Sequence, residues 1–108
     1  MSETLRRVQM LVAVGQVRIS DHGYDELAND GILAQEALAG LGTAVAVEDY
    51  AESDRGRSVL TLQEDAKGRP IHVVWGTATS NDALAVLVTA YRPDPARWET
   101  GFKQRKKT

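Results

Sequence analysis

Cysteine is absent from this chain of 108 residues. Its absence excludes disulfide staples, thiolate-held zinc and thiol nucleophiles. Long hydrophobic runs are also missing. The longest nearly apolar stretch, Ala83–Val88, is far short of the ~20 residues that span a bilayer. The opening Met1-Ser2-Glu3-Thr4 carries no apolar signal segment. A cytoplasmic protein with no membrane partner is therefore expected. Phosphate-cradling glycine patterns and the GxSxG nucleophile elbow are absent as well. Histidine occurs only as His22 and His72, with no partner at metal-ligand spacing, so neither a metal site nor a cofactor is expected. Lys and Arg are missing from residues 21–54, which hold Asp21, Asp25, Glu26, Asp30, Glu36, Glu48, Asp49, Glu52 and Asp54. The balance reverses at the end of the chain. Arg92, Arg97, Lys103, Arg105, Lys106 and Lys107 outnumber Asp94 and Glu99. A net charge of −2 thus conceals a strong polarity along the sequence.

The length fits a single domain over residues 1–108, with a basic tail from about residue 104. Leu5, Val8, Leu11 and Val12 recur at helical spacing, predicting a helix over Glu3–Val14 that Gly15 ends. Val17-Arg18-Ile19 reads as a short extended link. Ser20 or Asp21 caps a second helix, which stops at Asn29-Asp30-Gly31. A third covers about Ala34–Leu41, burying Ala37, Leu38 and Leu41. From Thr43 the period shortens to that of strands. Four are predicted, at Ala44–Tyr50, Arg57–Gln63, Ile71–Thr77 and Leu84–Tyr91, with turns at Asp65–Pro70 and Ser80–Asp82. Pro93 and Pro95 forbid continuation of the last strand, and Asp94 can cap a final helix from Pro95 to about Gln104. The expected fold is α+β, with N-terminal helices packed on a four-stranded antiparallel sheet and a C-terminal helix.

Alternation puts His72 on the strand face of Val74, opposite Ile71, Val73 and Trp75. Trp75 has the larger apolar area to bury, so His72 is expected to look out from the open face. Tyr91 shares a face with Leu87 and Thr89; it is either a hydroxyl-tipped core residue or a proton donor. Arg92 and Arg97 flank the proline corner, either as ion-pair clamps against Asp94 and Glu99 or as guanidinium groups aimed at phosphate. Trp98 and Phe102, four apart, would dock the last helix on the sheet. Asp21 and His22 are adjacent and would diverge on a helix, and His22 near a helix start suits capping.

Ile19-Ser20-Asp21-His22 with Gly31-Ile32, the segment Gly68-Arg69-Pro70-Ile71-His72-Val73-Val74, and Thr89-Ala90-Tyr91-Arg92-Pro93-Asp94 together resemble the bacterial domain-of-unknown-function family 4258. The resemblance covers about residues 17–105. That family is distantly similar to the RelE/ParE-like toxin superfamily. The likeness implies a RelE-like fold and, at most, a metal-independent endoribonuclease acting on messenger RNA, free or on ribosomes. It also implies a small antitoxin-like protein as partner. One departure stands out: Glu26 and Asp30 are acidic where family members often carry arginine. Reversing those charges works against RNA on that surface and leaves the basic end untouched.

Two functions follow. In a toxin-like RNA-binding protein, His72 and Tyr91 would move protons, His22 would be a further catalytic candidate, and Arg92, Arg97 and Arg105 would hold phosphate. In a non-catalytic interaction module that keeps the toxin-like fold, the acidic block would face a basic protein partner. Convergence of His72, Tyr91 and Arg92 in one open groove would favour the first, and burial of His72 and Tyr91 the second.

Overall fold

The computed structural model describes residues 2–50, 56–77 and 83–107. Helix α1 (Glu3–Ala13) starts at Ser2, whose hydroxyl accepts the Leu5 N–H at 3.0 Å. Gly15, at φ +80°, turns the chain into strand β1 (Val17–Ile19). Helix α2 (Asp21–Asn29) is capped by Ser20, as its sequence predicts, and Gly31 (φ +64°) ends the reversal after it. Helix α3 (Ala34–Ala39) runs into a 3₁₀ turn at Gly40–Thr43, so the third predicted helix is real but tightens at its end. Strands β2 (Val45–Tyr50), β3 (Ser58–Glu64), β4 (Pro70–Thr77) and β5 (Ala85–Tyr91) follow. The turn expected at Ser80–Asp82 lies outside the described residues. Among those residues no helix is long and apolar enough to cross a membrane.

The α+β class holds, but the sheet is five-stranded and mixed, in the order β1-β5-β4-β3-β2. The expected four-strand antiparallel meander is present within it: β4 is antiparallel to both β3 and β5, and β2 to β3. The extra strand is the Val17-Arg18-Ile19 link, which runs parallel to β5 in register with Ala85-Val86-Leu87. Three residues are too few to reveal a strand by alternation. It forms because α1 delivers the chain to the open edge of β5.

The larger correction is at the C-terminus, where the helix predicted for Pro95–Gln104 does not form. Asp94 does cap one turn: its carboxylate accepts Ala96 N–H at 2.8 Å and its carbonyl accepts Arg97 N–H at 2.9 Å. The chain then doubles back. Gly101 (φ +92°) and Phe102 (φ +60°) are left-handed, Glu99 N–H donates to Gln104 O, and Trp98 bridges Arg105. Consecutive left-handed residues cannot continue a right-handed helix. We call this segment, residues 94–106, the C-terminal strap.

The helices cover one face of the sheet. Leu5, Val8, Leu11, Leu27, Ile32, Ala37 and Leu41 pack against Val59, Ile71, Val73, Trp75, Leu87 and Ala90. Trp75 is fully buried on this side, as its apolar area demands, and its indole N–H donates to Gln63 Oε1 at 2.9 Å. Gln63 Nε2–H in turn donates to the Ala37 carbonyl at 2.8 Å, tying α3 to the sheet through a satisfied buried amide. Helix α2 sits closest. A Cβ on Gly23 would meet the Leu87 carbonyl oxygen at 2.7 Å. Gly23→Ala should therefore lower stability by about 1–3 kcal/mol, the usual cost of overpacking. Urea midpoints measure this; an unchanged midpoint would show that α2 does not seat on β5 through Gly23.

Candidate functional site

Two β-bulges decide what faces away from the helices. In β5, Thr89 pairs with Val74 and Leu87 with Trp75, leaving Val88 as an extra residue. The bulge sends Leu87 into the core and puts Tyr91 and Thr89 on the other face. Tyr91 therefore does not share a face with Leu87, contrary to plain alternation. In β2, Ala46 pairs with Thr61 and Glu48 with Leu60, so Val47 is the extra residue and Glu48 moves to the face of His72. Asp49 then points to the helix side, where its carboxylate accepts the hydroxyls of Ser2 and Thr4.

His72 occupies the predicted face but is not open to solvent. It is fully buried, because the strap lies over it. Its Nε2–H donates to the Phe102 carbonyl at 2.9 Å, since a carbonyl can only accept. That leaves Nδ1 as an acceptor for the Tyr91 hydroxyl, 3.2 Å away. The Trp98 ring stacks edge-on to the imidazole at 4.4 Å, and Tyr91 does so at 5.3 Å. Trp98 thus docks on the sheet as its apolar area predicts, although from a loop; the Phe102 group that docks is its carbonyl.

Arg105 extends the cluster outward. Its guanidinium carbon lies 4.7 Å from the Trp98 ring centroid. Its Nε–H and Nη2–H donate to the two Glu48 oxygens at 2.9 and 3.1 Å. The Tyr50 hydroxyl also donates to Glu48. Of the three arginines expected to bind phosphate, Arg105 is the one brought beside His72 and Tyr91. Arg92 is half-buried elsewhere. Its N–H donates to the Asp30 carboxylate at 2.7 Å, its Nε–H to the Asp30 carbonyl at 3.1 Å, and its Nη1–H to Asp65 at 2.9 Å. Arg97 is exposed at the start of the strap. His22 lies on the exposed side of α2, with Glu26 at 3.8 Å. His72, Tyr91 and Arg92 therefore do not meet in one groove, and His72 is buried while Tyr91 is half-buried.

Glu48 and Tyr50 were missed as site residues. Their i, i+2 spacing in a strand could have grouped them, but nothing in the sequence pairs Glu48 with Arg105. Among the described residues no group of three or more His, Asp or Glu is arranged to hold a metal.

Charges in the cluster follow its burial. Desolvation pushes His72 below its ordinary value, helped by the Arg105 charge and opposed by the Phe102 carbonyl and by Glu48. Desolvation pushes Tyr91 up, so its hydroxyl stays protonated at neutral pH. The Arg105 hydrogen bonds hold Glu48 low. At the other hub, burial would raise Asp65, but Arg69 N–H, the Arg92 guanidinium and Lys67 N–H outweigh it and lower the carboxyl to about 2.

Two pH windows follow. The folded state favours neutral His72, so its contribution is complete above 6.5 and is lost as pH falls below that value toward the depressed folded one. Asp65, held low, contributes fully above 3.8 and loses its contribution as pH falls toward about 2. Urea midpoints measured across pH should show both. His72→Phe should flatten the upper window and Asp65→Asn the lower. Variant profiles parallel to the wild type would show that these groups do not couple to folding.

Comparison with known proteins adds one finding. A family model, described as Domain of unknown function (DUF4258), matches residues 19–92. No curated protein and no solved structure matches the chain. The matched region carries His22, His72, Tyr91 and Arg92 but ends before Trp98, Phe102 and Arg105, so it leaves out the whole of the strap that closes over His72. The chain belongs to the DUF4258 family of proteins, whose common domain has no assigned function.

Proposed function

We propose that the chain is an RNA-binding protein of the toxin-like kind, similar in plan to RelE/ParE-like proteins. In this reading the Tyr91–His72 pair supports metal-independent RNA cleavage. The observation that carries it is the Tyr91 hydroxyl held 3.2 Å from His72 Nδ1, in a cluster that unites a predicted proton-transfer pair with a predicted phosphate ligand. Exposed Lys103, Lys106 and Lys107 surround Arg105 in sequence and add positive charge for a polyanion.

His72 cannot touch a substrate while buried, so Tyr91 is the group that would. A ribose 2′-hydroxyl next to Tyr91 would give its proton to the phenol oxygen as Tyr91 passes its own proton to neutral His72 Nδ1. The 2′-oxygen attacks phosphorus, the bond to the 5′-oxygen breaks, that oxygen takes a proton from water, and the hydroxide so formed takes back through Tyr91 the proton held on His72. The products are a 2′,3′-cyclic phosphate and a 5′-hydroxyl. Arg105 would stabilise the charge on the phosphorane oxygens. Messenger RNA, free or on ribosomes, is the substrate that the family resemblance implies, and a small antitoxin-like protein the partner.

A second reading is a non-catalytic protein-interaction module, the one favoured by the burial of His72 and by the separation of Arg92 from it. It draws on a cleft of about 560 Å³ lined by Leu33, Glu36, Thr43 and Glu64, with Leu33 largely exposed at its side. An apolar residue flanked by lysines would fit there.

Purified protein should retain single-stranded RNA at ~50 mM salt and release it by ~200 mM, because each neutralised phosphate frees counterions. It should also cleave RNA in the presence of chelator, alone or on ribosomes. Tyr91→Phe should keep binding and lose about 10²-fold or more in cleavage rate. RNA bound but left intact removes the cleavage step. RNA not bound at all hands the function to the interaction module.

A further inference from the structure

The cation best placed for phosphate already holds an anion. Arg105 presents two N–H groups to the two oxygens of Glu48, at 2.9 and 3.1 Å. This fork geometry is the one in which a guanidinium grips two phosphate oxygens. The pair is open to water, the Arg105 side chain being 60% and that of Glu48 29% exposed. Exposed pairs of this kind are easily exchanged, since they contribute only about 0–1 kcal/mol. The guanidinium does not depend on Glu48 for its place. It lies over Trp98, which is buried and stacked on His72, and Lys106 N–H donates to the Arg97 carbonyl to close the strap behind it. Glu48 has a second partner too, the Tyr50 hydroxyl on its own strand. A carboxylate leaving Arg105 keeps one hydrogen bond, and the vacated fork stays aimed.

We propose that Glu48 is an internal stand-in for a phosphodiester, occupying the Arg105 fork in the free protein until a nucleic-acid strand displaces it. The inference rests on the RNA-binding reading above and names the device that regulates that site. Glu48 sets a threshold. A strand that brings further phosphates to Lys103, Lys106 and Lys107 overcomes the competition, whereas an isolated anion does not. Affinity is reduced by the fraction of molecules in which the fork is closed.

The test uses a single-stranded RNA dodecamer and the full chain, with circular dichroism to confirm folding of each variant. Glu48→Gln should bind RNA about fivefold more tightly, near the upper limit of what an exposed pair can oppose. Asp25→Asn removes the same charge from an exposed position on α2, across the sheet from Arg105, and controls for net charge. It should change affinity by less than about twofold, as remote screened charges do. In Glu48→Gln/Arg105→Gln the gain should vanish. Equal gains from Glu48→Gln and Asp25→Asn, or a gain that survives loss of Arg105, would overturn the stand-in while leaving RNA binding intact. Wild type and Glu48→Gln both failing to retain RNA would overturn the RNA reading and this inference together.

Discussion

A histidine buried in the middle of a sheet must have both ring nitrogens satisfied, and this requirement organises the C-terminal half of the protein. His72 sits on β4, between β3 and β5, with its backbone committed to the ladder on both sides. Its side chain must therefore find partners above the sheet. Tyr91 supplies a hydroxyl from the cross-strand position, and Phe102 supplies a carbonyl from the strap. An unpartnered buried imidazole nitrogen would cost about 1–3 kcal/mol. The strap is thus required as a source of hydrogen bonds as well as an apolar cover. Its position then places Arg105 beside Tyr91. Fold and candidate site share one interaction.

A second buried polar hub shows why Arg92 serves the fold. Asp65 collects Lys67 N–H, Arg69 N–H, the Arg69 side chain and the Arg92 guanidinium, while Asp30 takes the Arg92 backbone and its carbonyl takes Nε–H. This joins the β3–β4 turn, the end of β5 and the exit of α2. Asp30 is one of the positions where the family resemblance anticipates arginine. Here it is the acid that receives Arg92. The acid at position 30 and the sequestration of Arg92 are therefore two sides of one contact, which commits this arginine to the fold.

Local patterns made much of this fold legible. Helical spacing of Leu5, Val8 and Leu11, the Ser20 cap and the Gly15 and Gly31 stops all report interactions within a few residues, and these elements stand where they were expected. The face of His72 and the burial of Trp75 followed from alternation and area. The remaining features depend on contacts distant in sequence. Whether three residues become a strand depends on a free edge of β5. The bulges at Val47 and Val88 are single-residue shifts with no glycine to announce them. Those two shifts put Glu48 and Tyr91 on one face, so the candidate site was least legible where its geometry is made. Arg105 meets Glu48 across 57 residues, beyond any periodicity.

The failed helix is explained by the same histidine. Pro95 to Gln104 has a good cap in Asp94 and an apolar pair at Trp98 and Phe102, which is why a helix is the natural reading. A helix ending at Gln104 would leave its last carbonyls, that of Phe102 among them, free but directed along the helix axis and not at an imidazole beneath Trp98. Seating Trp98 on His72 would then bury Nε2–H without an acceptor. The left-handed turn at Gly101 and Phe102 swings the Phe102 carbonyl toward that nitrogen. Left-handed backbone at a non-glycine residue costs about 1–2 kcal/mol, comparable to the penalty of the unmet donor. The two costs are close enough for local context to decide, and here Gly101 makes the reversal cheaper while the bridge between Trp98 and Arg105 adds to it. The strap conformation, and with it the place of the Arg105 guanidinium over Trp98, is thus set from beneath by the buried histidine and not by the exposed ion pair with Glu48.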